Sequence, residues 1–153
     1  IGVDIKPKRL KLALKLGATH AIDNRHQDVA ARITNITGRG VDYVLETTGN
    51  PKMHQLAIDV LNPRGVVALL TGEEGTDSLP ERRRTVGIIQ GDAVPQVFIP
   101  KLIKLYRTGQ FPFDRLTKFY AFRDINRAIA DANRGDTIKP VLRIAEHTGL
   151  SSC

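Results

Sequence analysis

Two short stretches of this 153-residue sequence carry side chains suited to grip a nucleotide. Asp4 closes the apolar run Ile1-Gly2-Val3-Asp4-Ile5. An acid at the end of the second strand of a dinucleotide-binding sheet accepts hydrogen bonds from an adenosine ribose 2′-OH. The same charge repels a 2′-phosphate, so it favours NAD over NADP. Arg9 follows one helical turn later, where a cation helps to hold the ribose. The plainer alternative is that a strand-end Asp caps the next helix. The second stretch is Glu46-Thr47-Thr48-Gly49-Asn50, where a strand hands over to a helix. Ligands of open parallel sheets bind along that edge. The alternative is a connection whose glycine supplies only a tight turn. Leu70-Thr71-Gly72 is the corresponding edge after the next strand, and the same alternative applies to it.

Other chemistries find little support. No G-x-G-x-x-G occurs, and the spacing rule places that fingerprint about 20 residues before the acid, upstream of Ile1. Gly72-Glu73-Glu74-Gly75 is no substitute, because its spacing is wrong and its carboxylates would face a pyrophosphate. The single cysteine, Cys153, excludes an intramolecular disulfide and a four-cysteine zinc site. His20, His26, His54 and His147 have no metal-ligand spacing, and no G-x-S-x-G elbow is present. Neither Asp23 with Asp28 nor Glu73 with Glu74 makes an arguable acid–base pair. Net charge is +7, but the cations are scattered over helix faces. The Arg82-Arg83-Arg84 run reads as a solvated loop. Aromatic residues do not alternate with cations, so no nucleic-acid partner is expected. No apolar run approaches the roughly 20 residues of a membrane span, and a cytoplasmic location is expected.

The elements that must position these residues alternate between strand and helix. Strands are expected at 1–5, 21–23, 41–46 and 66–70. Helices are expected after Pro7, through Ala30, Ile33 and Ile36, and after Pro51. Asn62-Pro63-Arg64-Gly65 reads as a turn. A long polar loop is expected over 71–84, then a strand at 85–90 and a helix at 95–106 broken by Gly109-Gln110-Phe111-Pro112. An extended stretch at 119–122, a helix at 124–134 and a strand at 139–144 follow. The tail from Ala145 to Cys153 is polar. Strand–helix alternation at this spacing predicts an α/β fold with a doubly wound parallel sheet.

With these segments in order, the sequence resembles the medium-chain alcohol dehydrogenases. Ile1-Gly2-Val3-Asp4-Ile5, Lys15-Leu16-Gly17-Ala18-Thr19 and the run from Val41 to Gly49 carry the likeness. Leu61 to Thr71, Asp124 to Ala128 and Gly135 to Arg143 continue it, so the match extends from Ile1 to about Ile144. It is closer to the zinc-dependent aryl-alcohol type than to the quinone reductases. The resemblance implies a Rossmann-type sheet and NAD as cofactor. Asp4 matches the ribose-binding acid and Arg9 its basic neighbour. Thr48 and Asn50 lie where the family walls the adenine. Leu70, Thr71 and Gly72 match the segment whose backbone meets the nicotinamide carboxamide. Ile89 to Gly91 match the stretch near the nicotinamide and the subunit interface. Lys139 matches a pyrophosphate cation, here a point charge instead of an arginine fork.

The resemblance also implies what these residues lack. The family's zinc ligands, proton relay, Gly-rich turn and first strand all fall upstream of Ile1. That first strand is central, between the strands ending at Asp4 and Glu46. Two half-sheets with unpaired inner edges and an open gap are therefore expected. The chain is expected to be the C-terminal part of a longer enzyme, inactive and unstable alone. Residues 1–109 form a partial dinucleotide-binding domain, 110–144 bridge to the absent catalytic domain, and 145–153 form a tail. The activity implied is hydride transfer between an alcohol, aryl or allylic, and NAD. A homo-oligomer through the Thr85–Gln90 strand is implied as well. The alternative is a non-catalytic nucleotide-binding or dimerisation module.

Overall fold

A computed structural model describes residues 1–72 and 75–144. Part of the Gly72–Gly75 stretch and the whole Ala145–Cys153 tail, with His147, lie outside those residues. The chain separates into two compact units, Ile1–Val94 and Pro95–Cys153.

The first unit runs β1 (Gly2–Asp4), α1 (Pro7–Lys15), β2 (Ala21–Asp23), α2 (Val29–Thr37), β3 (Val41–Glu46), α3 (Pro51–Asp59), β4 (Leu61–Leu69) and β5 (Arg84–Gly87). Local chemistry sets the boundaries. Pro7 and Pro51 occupy first helical turns, where a missing N–H costs nothing. The Asp28 carboxylate accepts from the Ala31 amide at 3.0 Å and starts α2. Gly38, at φ 74°, ends that helix in the left-handed region. Ile22, Val29, Ile33 and Val60 form one buried cluster; Ala57, Leu61, Val67 and Leu69 form another. Ile22, Val67 and Leu69 are completely buried, each worth about 1.5–3 kcal/mol relative to exposure.

Every ladder between these strands is parallel, but they do not form one sheet. β1 pairs only with β2, and β3, β4 and β5 form a separate three-stranded sheet. This is the interrupted order expected for a doubly wound sheet without its first strand. A cavity of 220 Å³ lies between the two pieces, with Ile1 and Val3 on one side and Val41, Val44 and Leu45 on the other. Tyr43 and Leu45 are 80% and 69% exposed on β3.

Three local expectations need correction. Asn62–Gly65 does not separate a helix from the fourth strand; it lies inside β4. The register jumps from Val41↔Leu61 to Tyr43↔Val66, so the extra residues bulge out while pairing resumes. Arg64 makes the bend at φ 66°. The bulge is pinned by Asn62, which accepts from the Gly40 amide at 3.0 Å and donates to Asp42 at 2.8 Å. The fifth strand stops at Gly87 because Gln90, Gly91 and Asp92 all turn left-handed. The polar 71–84 connection is not wholly irregular either, since Thr76 forms an antiparallel bridge with Thr85.

The second unit contains α4 (Pro95–Arg107), β6 (Thr117–Ala121), α5 (Ile125–Arg134) and β7 (Lys139–Arg143). β6 and β7 pair in parallel, in register from Thr117↔Lys139 to Ala121↔Arg143. α5 is the crossover, ended by Gly135 at φ 74°. Its core is partly polar: Tyr120, Asp131 and Thr137 are buried beside Ala128. Among the described residues, no helix is long and apolar enough to cross a membrane.

Candidate nucleotide-binding site

The carboxyl ends of β1 and β3 open on a common cavity of 570 Å³. Asp4 and Arg9 line it from the first strand–helix connection, and Thr48 and Asn50 from the third. β1 delivers Asp4 because its backbone is held by β2 and its carbonyl accepts from the Asn24 amide at 3.2 Å. One Asp4 oxygen accepts from the Lys6 amide at 2.8 Å, steering the chain into α1. The other is 3.7 Å from an Arg9 guanidinium nitrogen, and both side chains stay partly exposed. The Lys6 amide and the Arg9 guanidinium thus meet different Asp4 oxygens. Arg9 Nε is buried and has no hydrogen-bond partner among the described residues. An orphaned donor beside a half-committed carboxylate is a place for a polar ligand.

The opposite wall is built by Glu46, which is 4% exposed. Its Oε1 accepts from the Thr48 amide at 2.8 Å and the Thr48 hydroxyl at 2.5 Å. Its Oε2 accepts from the Gly49 amide at 3.0 Å. Burial pushes the carboxyl up, but the Thr48 hydroxyl, the two amides and His54 outweigh it and hold Glu46 below its usual value. Thr48 in turn accepts from the Asn50 amide at 3.0 Å, and Asn50 caps α3 through the Lys52 amide at 2.9 Å. Gly49 takes φ 64°, a backbone conformation that suits glycine.

Four of the residues singled out from sequence therefore meet on one cavity. Leu70 and Thr71 stand next to it: the Leu70 amide donates to the Glu46 carbonyl at 3.0 Å, and Thr71 packs on Gly49. They and Gly72, at φ 83°, are not among the residues lining the cavity. Ile89 is 76% exposed. It and Gly91, in the left-handed turn after β5, do not line the cavity either. Lys139 opens β7 in the second unit. Sequence reasoning included Glu46 in the second stretch without giving it a role of its own, and passed over Asn24 and Lys52, which line the cavity. The signal for Glu46 was present: like Asp4, it is an acid at the end of an apolar strand. Among the described residues, no group of three His, Cys, Asp or Glu side chains could hold a metal.

Comparison with known proteins extends this geometry. Residues 1–101 match a family described as zinc-binding dehydrogenase. The chain is 40% identical over 144 residues to geraniol dehydrogenase of Castellaniella defragrans, covering 88% of this chain and 38% of that protein. Among solved structures, an alcohol dehydrogenase zinc-binding domain protein from Burkholderia ambifaria superposes with a TM-score of 0.85 at 46% identity. Benzyl alcohol dehydrogenase from Acinetobacter calcoaceticus superposes with a TM-score of 0.85 at 40% identity. Each superposition covers 94% of this chain, and 41% and 42% of the respective partners. The chain thus spans about two fifths of the length of these relatives.

Proposed function

The chain belongs to the zinc-binding dehydrogenase family, and from that premise we propose that it is the NAD-binding portion of an alcohol dehydrogenase. The observation that carries this reading is the single cavity shared by Asp4, Arg9, Thr48 and Asn50. The Asp4 oxygen that faces Arg9 accepts from the adenosine ribose. The orphaned Arg9 Nε donates to the same end of the cofactor. Thr48 and Asn50 wall the adenine. The amides and carbonyls of Leu70, Thr71 and Gly72 meet the nicotinamide carboxamide, with Ile89 and Gly91 flanking the ring. The nicotinamide, when bound, accepts or gives the hydride.

The described residues do not fit a zinc site, so no step is assigned to zinc on side chains of this chain. The proposed substrates are small alcohols and their aldehydes, aryl or allylic in class. The names of the geraniol and benzyl alcohol dehydrogenases support that choice. Residues 1–109 would serve the dinucleotide and 110–144 would return toward a catalytic domain. The 85–90 stretch would pair with a second copy. Thr85 is already bridged to Thr76, which leaves Val86 and the exposed Ile89 for that contact. A cytoplasmic location suits this chemistry.

The test is calorimetric titration of the protein, as its source makes it, with NAD and NADP, followed by alcohol-dependent NADH formation. Binding of NAD in preference to NADP, with turnover, is expected. Binding without turnover would favour a nucleotide-binding module. Absence of dinucleotide binding would overturn the reading.

A further inference from the structure

We propose that Glu46 is a positioning residue for the adenosine end of the cofactor: its buried carboxylate holds the Thr47–Asn50 turn in the shape that presents Thr48 and Asn50 to the cavity opposite Asp4. This deepens the nucleotide reading and rests on it.

The backbone of Glu46 serves the β3–β4 ladder, but the three hydrogen bonds of its carboxylate all go forward, to Thr48 and Gly49. Each is a charge-assisted bond at the end of a strand, where the turn has little else to fix it. The consequence reaches further through donor and acceptor roles. A carboxylate only accepts, so the Thr48 hydroxyl proton is committed to Glu46. One lone pair of that oxygen is committed to the Asn50 amide. Asn50 Oδ1 is committed to the Lys52 amide, so its Nδ2 is the donor left for the cavity. The carboxylate thereby sets the polarity of Thr48 and, through the Asn50 backbone amide, the place of Asn50, while the Lys52 amide fixes which end of the Asn50 side chain faces the cavity. A Cβ at Gly49 would stand 3.4 Å from the Thr71 methyl, so Thr71 borders the turn.

Glu46→Gln is the informative change. Glutamine oxygen can keep both bonds to Thr48. Its amide nitrogen then faces the Gly49 N–H, so an attraction becomes a donor–donor clash. The measurement is binding of the two halves of the cofactor as separate probes, AMP and nicotinamide mononucleotide, to the protein as its source makes it. Expected is a loss of about tenfold or more in AMP affinity, the size of one hydrogen bond to a charged group. Nicotinamide mononucleotide affinity should be unchanged. Thr48→Val, which cuts the relay without touching the buried acid, should show the same one-sided loss, and Thr48→Ser should restore AMP binding. Equal losses for both probes, or an unchanged AMP affinity, would overturn the positioning role while leaving the nucleotide reading intact. If AMP fails to bind the unaltered protein, both fall.

Discussion

The Tyr120 hydroxyl donates to the Asp131 carboxylate across 2.8 Å, joining β6 to α5 inside the second unit. The same hydroxyl oxygen lies 2.6 Å from the Thr137 hydroxyl, just before β7. Because Tyr120 gives its proton to a carboxylate, Thr137 must donate to Tyr120. Lys118 and Arg134 also donate to Asp131 from the rim. Strand, crossover helix and returning strand are thus tied at one buried point.

Removing the phenol oxygen alone should loosen that point. Tyr120→Phe leaves the ring packed, takes one of two donors from Asp131 Oδ2, which keeps Lys118, and strands the Thr137 hydroxyl. The expected loss is about 1–3 kcal/mol, the cost of leaving a buried polar group without a partner. Urea unfolding read by hydrogen exchange at β6 and β7 amides would measure it. Unchanged protection there would show that the tie is dispensable.

The same network predicts a pH dependence. The Tyr120 hydroxyl, and then Lys118 and Arg134, hold Asp131 below its ordinary value of 3.8 despite burial. A group lowered in the folded state contributes stability above its unfolded pKa, and that stability is lost as pH falls through the folded value. The difference between the unaltered protein and Asp131→Asn should therefore be full at neutral pH and shrink in acid below pH 3.8. A difference that stayed constant down the acid limb would contradict the network's ionic character.

Asp4 tests cofactor choice. Asp4→Ser removes the charge facing Arg9 but leaves the cavity open. NAD affinity should fall by about tenfold, and NADP should gain relative to NAD, because the repulsion of a 2′-phosphate is gone. Parallel titrations with both dinucleotides read the ratio, and an unmoved ratio would remove Asp4 from the ribose site.

Gly40 tests the bulge. A Cβ there would stand 2.4 Å from the Val60 carbonyl oxygen and 3.0 Å from Asn62 Oδ1. Gly40→Ala should therefore push β3 from the β4 bulge and cost about 1–3 kcal/mol, as overpacking does. Thermal unfolding compared with Gly38→Ala separates this crowding from backbone strain, because Gly38 has open space around it but a φ of 74°. Equal losses at the two positions would rule out the crowding.

Much of the fold was legible because its signals are local. Apolar runs ended by an acid gave β1 and β3, and Pro7, Pro51 and Gly38 marked helix limits. The bulge was not, because Pro63 and Gly65 carry turn chemistry. What keeps β4 paired is Asn62 reaching back to Gly40 and Asp42, far away in sequence. At the site, Asp4 and Glu46 look alike as strand-end acids, yet their surroundings separate them. Asp4 keeps one oxygen toward the open cavity, whereas Glu46 turns both inward to its own loop. That difference lies in the turn each chain takes after its strand, which no spacing rule carries.

The open seam between the two half-sheets bears on how the site is measured. Asp4 stands on one side of the seam and the Thr47–Asn50 turn on the other, and no ladder joins β1 to β3. One strand of ordinary spacing sits about 4.8 Å from each neighbour. Whatever fills the seam therefore sets the span a nucleotide must bridge. Nucleotide affinity is a caliper for the sheet: it reports whether the strands on either side are held at the right separation.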